Sequence, residues 1–87
     1  MTGELPQPHP YVTAIEIPPA IEDDRHKVAE YGFTEWFRRA DSIGFTPHIV
    51  AGSCHLQLHL RHDDKGRAWL HVSGPVLDPP GHGGLPQ

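Results

Sequence analysis

Histidine is the residue type that most invites a chemical function in this chain. Eight of the 87 residues are histidines: His9, His26, His48, His55, His59, His62, His71 and His82. Imidazole binds zinc and titrates near neutral pH. In an extended strand, His55 and His59 are ~13 Å apart, so they cannot share one ion with zinc–nitrogen bonds of about 2.1 Å. Only His59 and His71 can pair across neighbouring strands, with His48 or His55 as a third ligand. We therefore predict no metal and no cofactor, and keep a histidine-based metal binder as a third hypothesis.

Other reactive residue types occur without the geometry of a catalytic site. In the segment Gly52-Ser53-Cys54-His55, a strand would direct Cys54 and His55 to opposite faces. Cys54 would then share the leucine side and be an ordinary buried thiol. Asp63 and Asp64 are accounted for by a turn. The segment Gly81-His82-Gly83-Gly84 lacks the lysine of a phosphate-binding loop. We predict that the protein is not an enzyme.

A β-hairpin positions most of these histidines. Residues 55–62 and 67–73 alternate between apolar and polar types, as half-buried strands do. A three-residue loop at 64–66, with Gly66 in the left-handed conformation, places all apolar side chains on one side. Leu60 then faces Leu70, and Leu58 faces Val72. The outer pairs are His59 with His71, Arg61 with Trp69, and Gln57 with Ser73.

The other predicted elements are a strand, a helix and a second short strand. Residues 11–17 are rich in β-branched and aromatic types and predict a strand; residues 48–51 are a short strand candidate. A helical face is formed by Phe33, Trp36, Phe37, Ala40 and Ile43, with Ala29 one turn earlier. Gly32 predicts either one weakened helix or two short ones, and Gly44 is placed to end it. The predicted fold is α+β: this helical face packs on the leucine side of an antiparallel sheet.

Composition sets the boundaries and the cellular setting. Prolines cluster at both ends, which predicts a Pro-rich extended arm at 1–10, an α+β domain at 11–74 and a Pro/Gly-rich tail at 75–87. Seven Lys and Arg against eleven Asp and Glu give a formal charge of −4, which disfavours a general phosphate-binding surface. One cysteine, no signal-like N-terminus and no apolar run of spanning length favour a cytoplasmic protein.

The outer side of the hairpin is the surface left for a function. Its predicted partner-binding residues are Gln57, His59, Arg61, Arg67, Trp69 and His71. An exposed tryptophan among Arg and His side chains is typical of a protein interface, so we predict a small interaction protein: an accessory subunit, inhibitor or antitoxin-like partner. Its partner is another protein or a second copy. The alternative is an RNA- or single-stranded-nucleic-acid-binding module that stacks bases on Trp69. Two further possibilities are a Trp69–Arg61 cation–π pair that binds nothing, and a terminal arm folded over this side.

Overall fold

A four-stranded antiparallel sheet carries one helix on one of its faces. The computed structural model describes residues 7–79. The elements are β1 (His9–Glu16), a 3-10 turn (Pro19–Ile21), α1 (Arg25–Ser42), β2 (Thr46–Pro47), β3 (Gln57–His62) and β4 (Ala68–Leu77). The predicted α+β architecture is confirmed. Residues 1–6 and 80–87, which hold most of the predicted arm and tail, lie outside the described residues.

Strand β4 is the centre of the sheet and confirms the predicted hairpin. It pairs with β1 along one side and with β3 and β2 in succession along the other. Leu60 faces Leu70, His59 faces His71 and Arg61 faces Trp69, as the alternation predicts. Gly66 has φ +81°, and its N–H donates to the Asp63 carbonyl at 3.0 Å. Glycine adopts this conformation at little cost, which permits a three-residue loop. The length of that loop sets which residues of the two strands face each other.

The helix begins and ends at residues suited to those places. The Asp24 carboxylate accepts hydrogen bonds from the N–H groups of His26 and Lys27 at 3.1 and 3.2 Å, which satisfies free donors of the first turn. At the other end Gly44 has φ +88°, and the Phe45 N–H donates to the Ala40 carbonyl at 2.9 Å, as in a Schellman motif. The prediction that Gly44 ends the helix is confirmed.

The face that the helix turns to the sheet matches its apolar spacing only in part, since Trp36 and Ala40 are buried as predicted and the other members of the stripe are not. Its buried residues are Val28, Gly32, Trp36 and Ala40. Phe33, Phe37 and Ile43, which we expected in the core, are 41%, 37% and 52% exposed. Trp36 determines how the helix is rotated about its own axis. Its Nε1–H donates to the Tyr11 carbonyl at 3.0 Å, and its ring fills the space that Gly74 leaves open.

Gly32 does not break the helix. The helix is continuous from Arg25 to Ser42, which is the first of the two predicted alternatives. Gly32 is buried, and a Cβ atom there would collide with the Leu70 side chain. The residue that weakens the helix locally therefore allows it to approach β4 closely.

The predicted burial of the hairpin leucines is wrong for strand β3. Leu70 and Val72 on β4 are buried, whereas Leu58 and Leu60 on β3 are 37% and 42% exposed. The helix crosses toward β1, where the Arg39 guanidinium donates to the Thr13 hydroxyl at 2.8 Å. A single helix covers about two strands of a sheet, since helices need about 10 Å and strands about 4.8 Å.

The strand ends also differ from the predictions. Strand β1 begins at His9, β4 continues to Leu77, and Pro10 lies opposite Pro75. The Ile17 N–H donates to the Ala68 carbonyl, and hydrogen-bonded and non-hydrogen-bonded pairs alternate along an antiparallel ladder. Pro10 and Pro75 therefore form a non-hydrogen-bonded pair, and the N–H groups that they lack are not needed between β1 and β4. The predicted strand at 48–51 is wrong: β2 is Thr46–Pro47, and residues 50 and 53 form only an isolated bridge.

Candidate functional site

The sheet face opposite the helix has no covering layer within the described residues. Because side chains alternate along strands, it collects one row from each of three strands, and we call it the open sheet face. Its cross-strand rows are Glu16–Trp69–Arg61, Ala14–His71–His59 and Val12–Ser73–Gln57. Five of the six predicted partner-binding residues thus lie together on one surface. The sequence did not predict that β1 contributes a row to this face, because the local sequence of β1 does not indicate which strand it pairs with.

Trp69 is anchored to the turn and is less exposed than predicted. Its ring is half-buried, and its Nε1–H donates to Asp63 Oδ2 at 3.0 Å. This bond fixes the orientation of the indole at the end of the open sheet face. The geometry favours neither a freely exposed ring nor one determined by Arg61 alone.

Asp63 is the organising residue of the turn, and sequence reasoning gave it only a general turn role. Its carboxylate accepts hydrogen bonds from Trp69 and from the N–H groups of Lys65 and Arg67 at 2.9 Å each. These donors, with Trp69 first, lower the pKa of Asp63 to about 2. The aspartate two residues before Lys65 is the signal that identifies such a turn.

Arg67, the sixth predicted partner-binding residue, is engaged within the hairpin. Its Nε lies 3.0 Å from Asp63 Oδ2, so its charge is partly compensated before any partner arrives. Arg61, by contrast, forms no ion pair within residues 7–79. Of the two arginines, Arg61 is therefore the better candidate contact.

The histidines do not assemble a metal centre in the described part of the chain. His59 and His71 are directly opposed, as the register predicts. No group of three or more His, Cys, Asp or Glu side chains within residues 7–79 could hold one ion. His55 precedes β3, and His48 donates its backbone N–H to the Pro75 carbonyl at 2.9 Å.

A shallow groove of about 260 Å³ lies at the proline end of the open sheet face. Its walls include Pro10 and Pro75, and polar groups come from His55, Gln57 and Ser73. Sequence reasoning missed it, because the two prolines were placed in the arm and the tail. Rigid apolar walls beside polar groups suit an apolar side chain flanked by hydrogen-bonding atoms.

Cys54 has the properties of a packing residue rather than a nucleophile. It is half-buried against the core, and burial raises the pKa of its thiol. Reactive cysteines need the opposite shift, since the thiolate is the attacking form. This agrees with the predicted role of Cys54 as a structural thiol.

No helix within residues 7–79 is long and apolar enough to cross a membrane. Comparison of the chain with protein-family models, with curated proteins and with solved structures found no match.

Proposed function

We propose that this chain is a small, non-catalytic protein-binding module of the cytoplasm, whose partner docks on the open sheet face. One observation carries the proposal. A three-stranded face without a covering layer in the described residues presents Trp69, held by Asp63, beside the unpaired Arg61. A side chain fixed before binding loses little conformational entropy on binding. Tryptophan and arginine are also the residue types that most often dominate binding energy.

The side chains of the open sheet face support a partner of particular chemistry. The Arg61 guanidinium is a hydrogen-bond donor, and His59 and His71 are cross-strand partners in the next row. The groove between Pro10 and Pro75 accepts an apolar side chain. A complementary protein surface would present carboxylate or carbonyl oxygens around one protruding apolar residue.

The size of the face favours a transient complex. The eight residues of β1 give the face a length of roughly 26 Å, and three strands spaced by about 4.8 Å give it a width of about 14 Å. The area of the face is therefore roughly 400 Å². A standard interface buries about 800 Å² on each partner. The open sheet face alone therefore fits an accessory or regulatory contact rather than an obligate one.

Nucleic-acid binding is the less favoured alternative. The chain has a formal charge of −4, and three arginines of the described residues (Arg38, Arg39 and Arg67) are ion-paired. The open sheet face offers one half-buried aromatic ring, whereas single-stranded nucleic acid is usually held by several exposed rings and a basic groove.

Photo-cross-linking in the host tests the proposal. A photoreactive amino acid replaces Gln57 on the open sheet face or, as a control, Thr34 on the exposed side of the helix. From position 57 we expect a protein adduct of discrete mass that differs from the mass of two copies of the chain, and from position 34 we expect none. Arg61→Glu should weaken the adduct at least about tenfold, whereas Lys27→Glu, the same charge change on the helix, should not.

Two results would overturn the proposal. Equal adducts from positions 57 and 34, or none from either, would show that the open sheet face is not a binding surface. An adduct that disappears after nuclease treatment would replace the protein partner with the nucleic-acid alternative.

A further inference from the structure

The two outer edges of the sheet differ in how their backbone groups are satisfied. The edge of β1 is obstructed at two points, since the Ala14 carbonyl accepts a hydrogen bond from Arg39 Nη1 at 2.9 Å and Pro10 has no N–H. Next to β3, the Asp63 N–H donates to the Arg67 carbonyl of the opposite chain segment. Counting back from Asp63, every second residue (Arg61, His59 and Gln57) therefore directs its backbone N–H and C=O groups to β4. The backbone groups of Leu58 and Leu60 therefore point away from the sheet. Natural proteins usually block such an edge.

An apolar surface lies beside this open edge. Leu58 and Leu60 line a groove of about 370 Å³ together with Val28 and Ala29 of the helix, and Glu22 and Arg25 add charged groups to its lining. The half-exposed Phe33 follows Ala29 at the i+4 spacing of one helix side. An edge strand and an apolar surface together match the requirements of another β-strand with apolar side chains on the same side.

We propose that this occupant is a second copy of the chain, paired antiparallel through β3 about a two-fold axis at His59. In that register Leu58 of each copy faces Leu60 of the other, and Gln57 faces Arg61. Apolar residues meet apolar residues on the helix side, and polar residues meet polar residues on the other. An isologous interface requires this self-complementarity.

Neighbouring two-fold registers are less favourable. An axis at Leu60 places Leu58 opposite His62 and His59 opposite Arg61, which mixes apolar with polar and brings cationic types together. An axis between two residues would flip the second copy, so that the two helices lie on opposite sides of the joined sheet and the leucines of one copy face polar residues of the other. An axis at Leu58 needs Leu56, which precedes β3 and packs against the core.

The exposed apolar side chains supply about half of the area that a stable dimer needs. Phe37 follows Phe33 at the same i+4 spacing on that helix side. The exposed fractions of Leu58, Leu60, Phe33 and Phe37 are each 37–42%. With 150–250 Å² for a whole aromatic side chain, the four expose roughly 300 Å² per copy, or about 600 Å² across the interface. Specific interfaces begin near 1,200 Å² in total, so the paired backbones and polar rows must supply about half. Pairing would also join two open sheet faces into one of roughly 800 Å².

Sedimentation of the purified full chain in the presence of a chelator tests for the dimer. We expect the mass to rise from one copy to two between low and high micromolar protein. Leu60→Lys places a charge on the edge strand and should leave a monomer throughout this range. Val12→Lys introduces the same residue on the open sheet face, at a position 58% exposed, and should dimerise as the native chain does.

Three results of the sedimentation test would overturn the proposal. They are a native chain that is monomeric throughout the range, a dimer that requires metal and dissociates in the chelator, and a dimer that Leu60→Lys leaves intact. Hydrogen exchange keeps the test independent of variant folding. In the native chain, protection of the Leu58 and Leu60 amides should increase with protein concentration, while that of Val12 should not. Equal behaviour of the three amides would contradict β3 pairing.

Disulfide formation tests the register. In a Cys54→Ser background, His59→Cys puts two cysteines on the two-fold axis at a non-hydrogen-bonded pair, where Cα atoms are about 4.5 Å apart, within disulfide range. Arg61→Cys puts them ~13 Å apart along the strand. Mild oxidation should cross-link the first variant at least about tenfold faster. Equal rates, or faster linkage through position 61, would refute the register.

Discussion

Leu60 and Leu70 are cross-strand partners that allow one substitution to be compared in two environments. They face each other on the same side of the hairpin, yet Leu60 is 42% exposed and Leu70 only 3%. Leu70→Ala should cost roughly 2–5 kcal/mol, because it removes a fully buried side chain and leaves a cavity under Gly32.

Leu60→Ala should cost much less. About three-fifths of this side chain is buried, and full burial of a leucine is worth about 1.5–3 kcal/mol, so the expected loss is roughly 1–2 kcal/mol. The adjoining groove already opens to solvent, and no closed cavity forms. The ratio of the two costs thus measures how far the helix extends over the sheet.

Urea unfolding followed by circular dichroism gives both free energies of unfolding. Low micromolar protein keeps the association proposed above from contributing to the stability of the Leu60 variant. Domains of this length are stabilised by only about 4–10 kcal/mol, so a Leu70→Ala chain that fails to fold still agrees with the prediction. Equal costs for the two substitutions, or a larger cost at Leu60, would mean that the helix covers β3 and that the described packing is wrong.

Three further substitutions or titrations follow from individual contacts. Gly32→Ala improves helix propensity by about 1 kcal/mol but drives a methyl group against the buried Leu70 side chain, which should cost about 1–3 kcal/mol. Thermal unfolding should therefore show a net loss of up to about 2 kcal/mol, and a more stable variant would contradict the close approach. The pKa of Asp63 is lowered to about 2, below its ordinary 3.8, so the unfolded chain binds more protons as pH falls from about 4 to 2 and stability is lost in that window; the Trp69 indole proton should report this titration by NMR, and Asp63→Asn should abolish it. The hydrogen bond from His9 to Asp78, at 2.7 Å, raises the pKa of His9, so its contribution to stability is present below about pH 6.5 and is lost as pH rises through the folded value; Asp78→Asn should remove the upward shift from the ring-proton titration.

Local chemistry accounts for the parts of the structure that the sequence predicted. The three-residue loop ending in Gly66 allows one register that keeps all apolar residues together, so the His59–His71 and Arg61–Trp69 pairs follow without knowledge of the rest of the fold. The helix end at Gly44 is equally local, since the left-handed conformation favours glycine. The five predicted contact residues of the open sheet face that are confirmed as neighbours all depend on this hairpin.

The hairpin, its register and the end of the helix therefore follow from local sequence alone. Tertiary packing decided which helix face is buried, because Phe33, Trp36 and Phe37 satisfy overlapping apolar stripes and only the glycine gap opposite Trp36 distinguishes them. It also decided that β1 pairs with β4 and leaves β3 at the edge. Strand partners far apart in sequence meet through backbone hydrogen bonds that any residue but proline can make, so side-chain types along β1 carry little information about the choice.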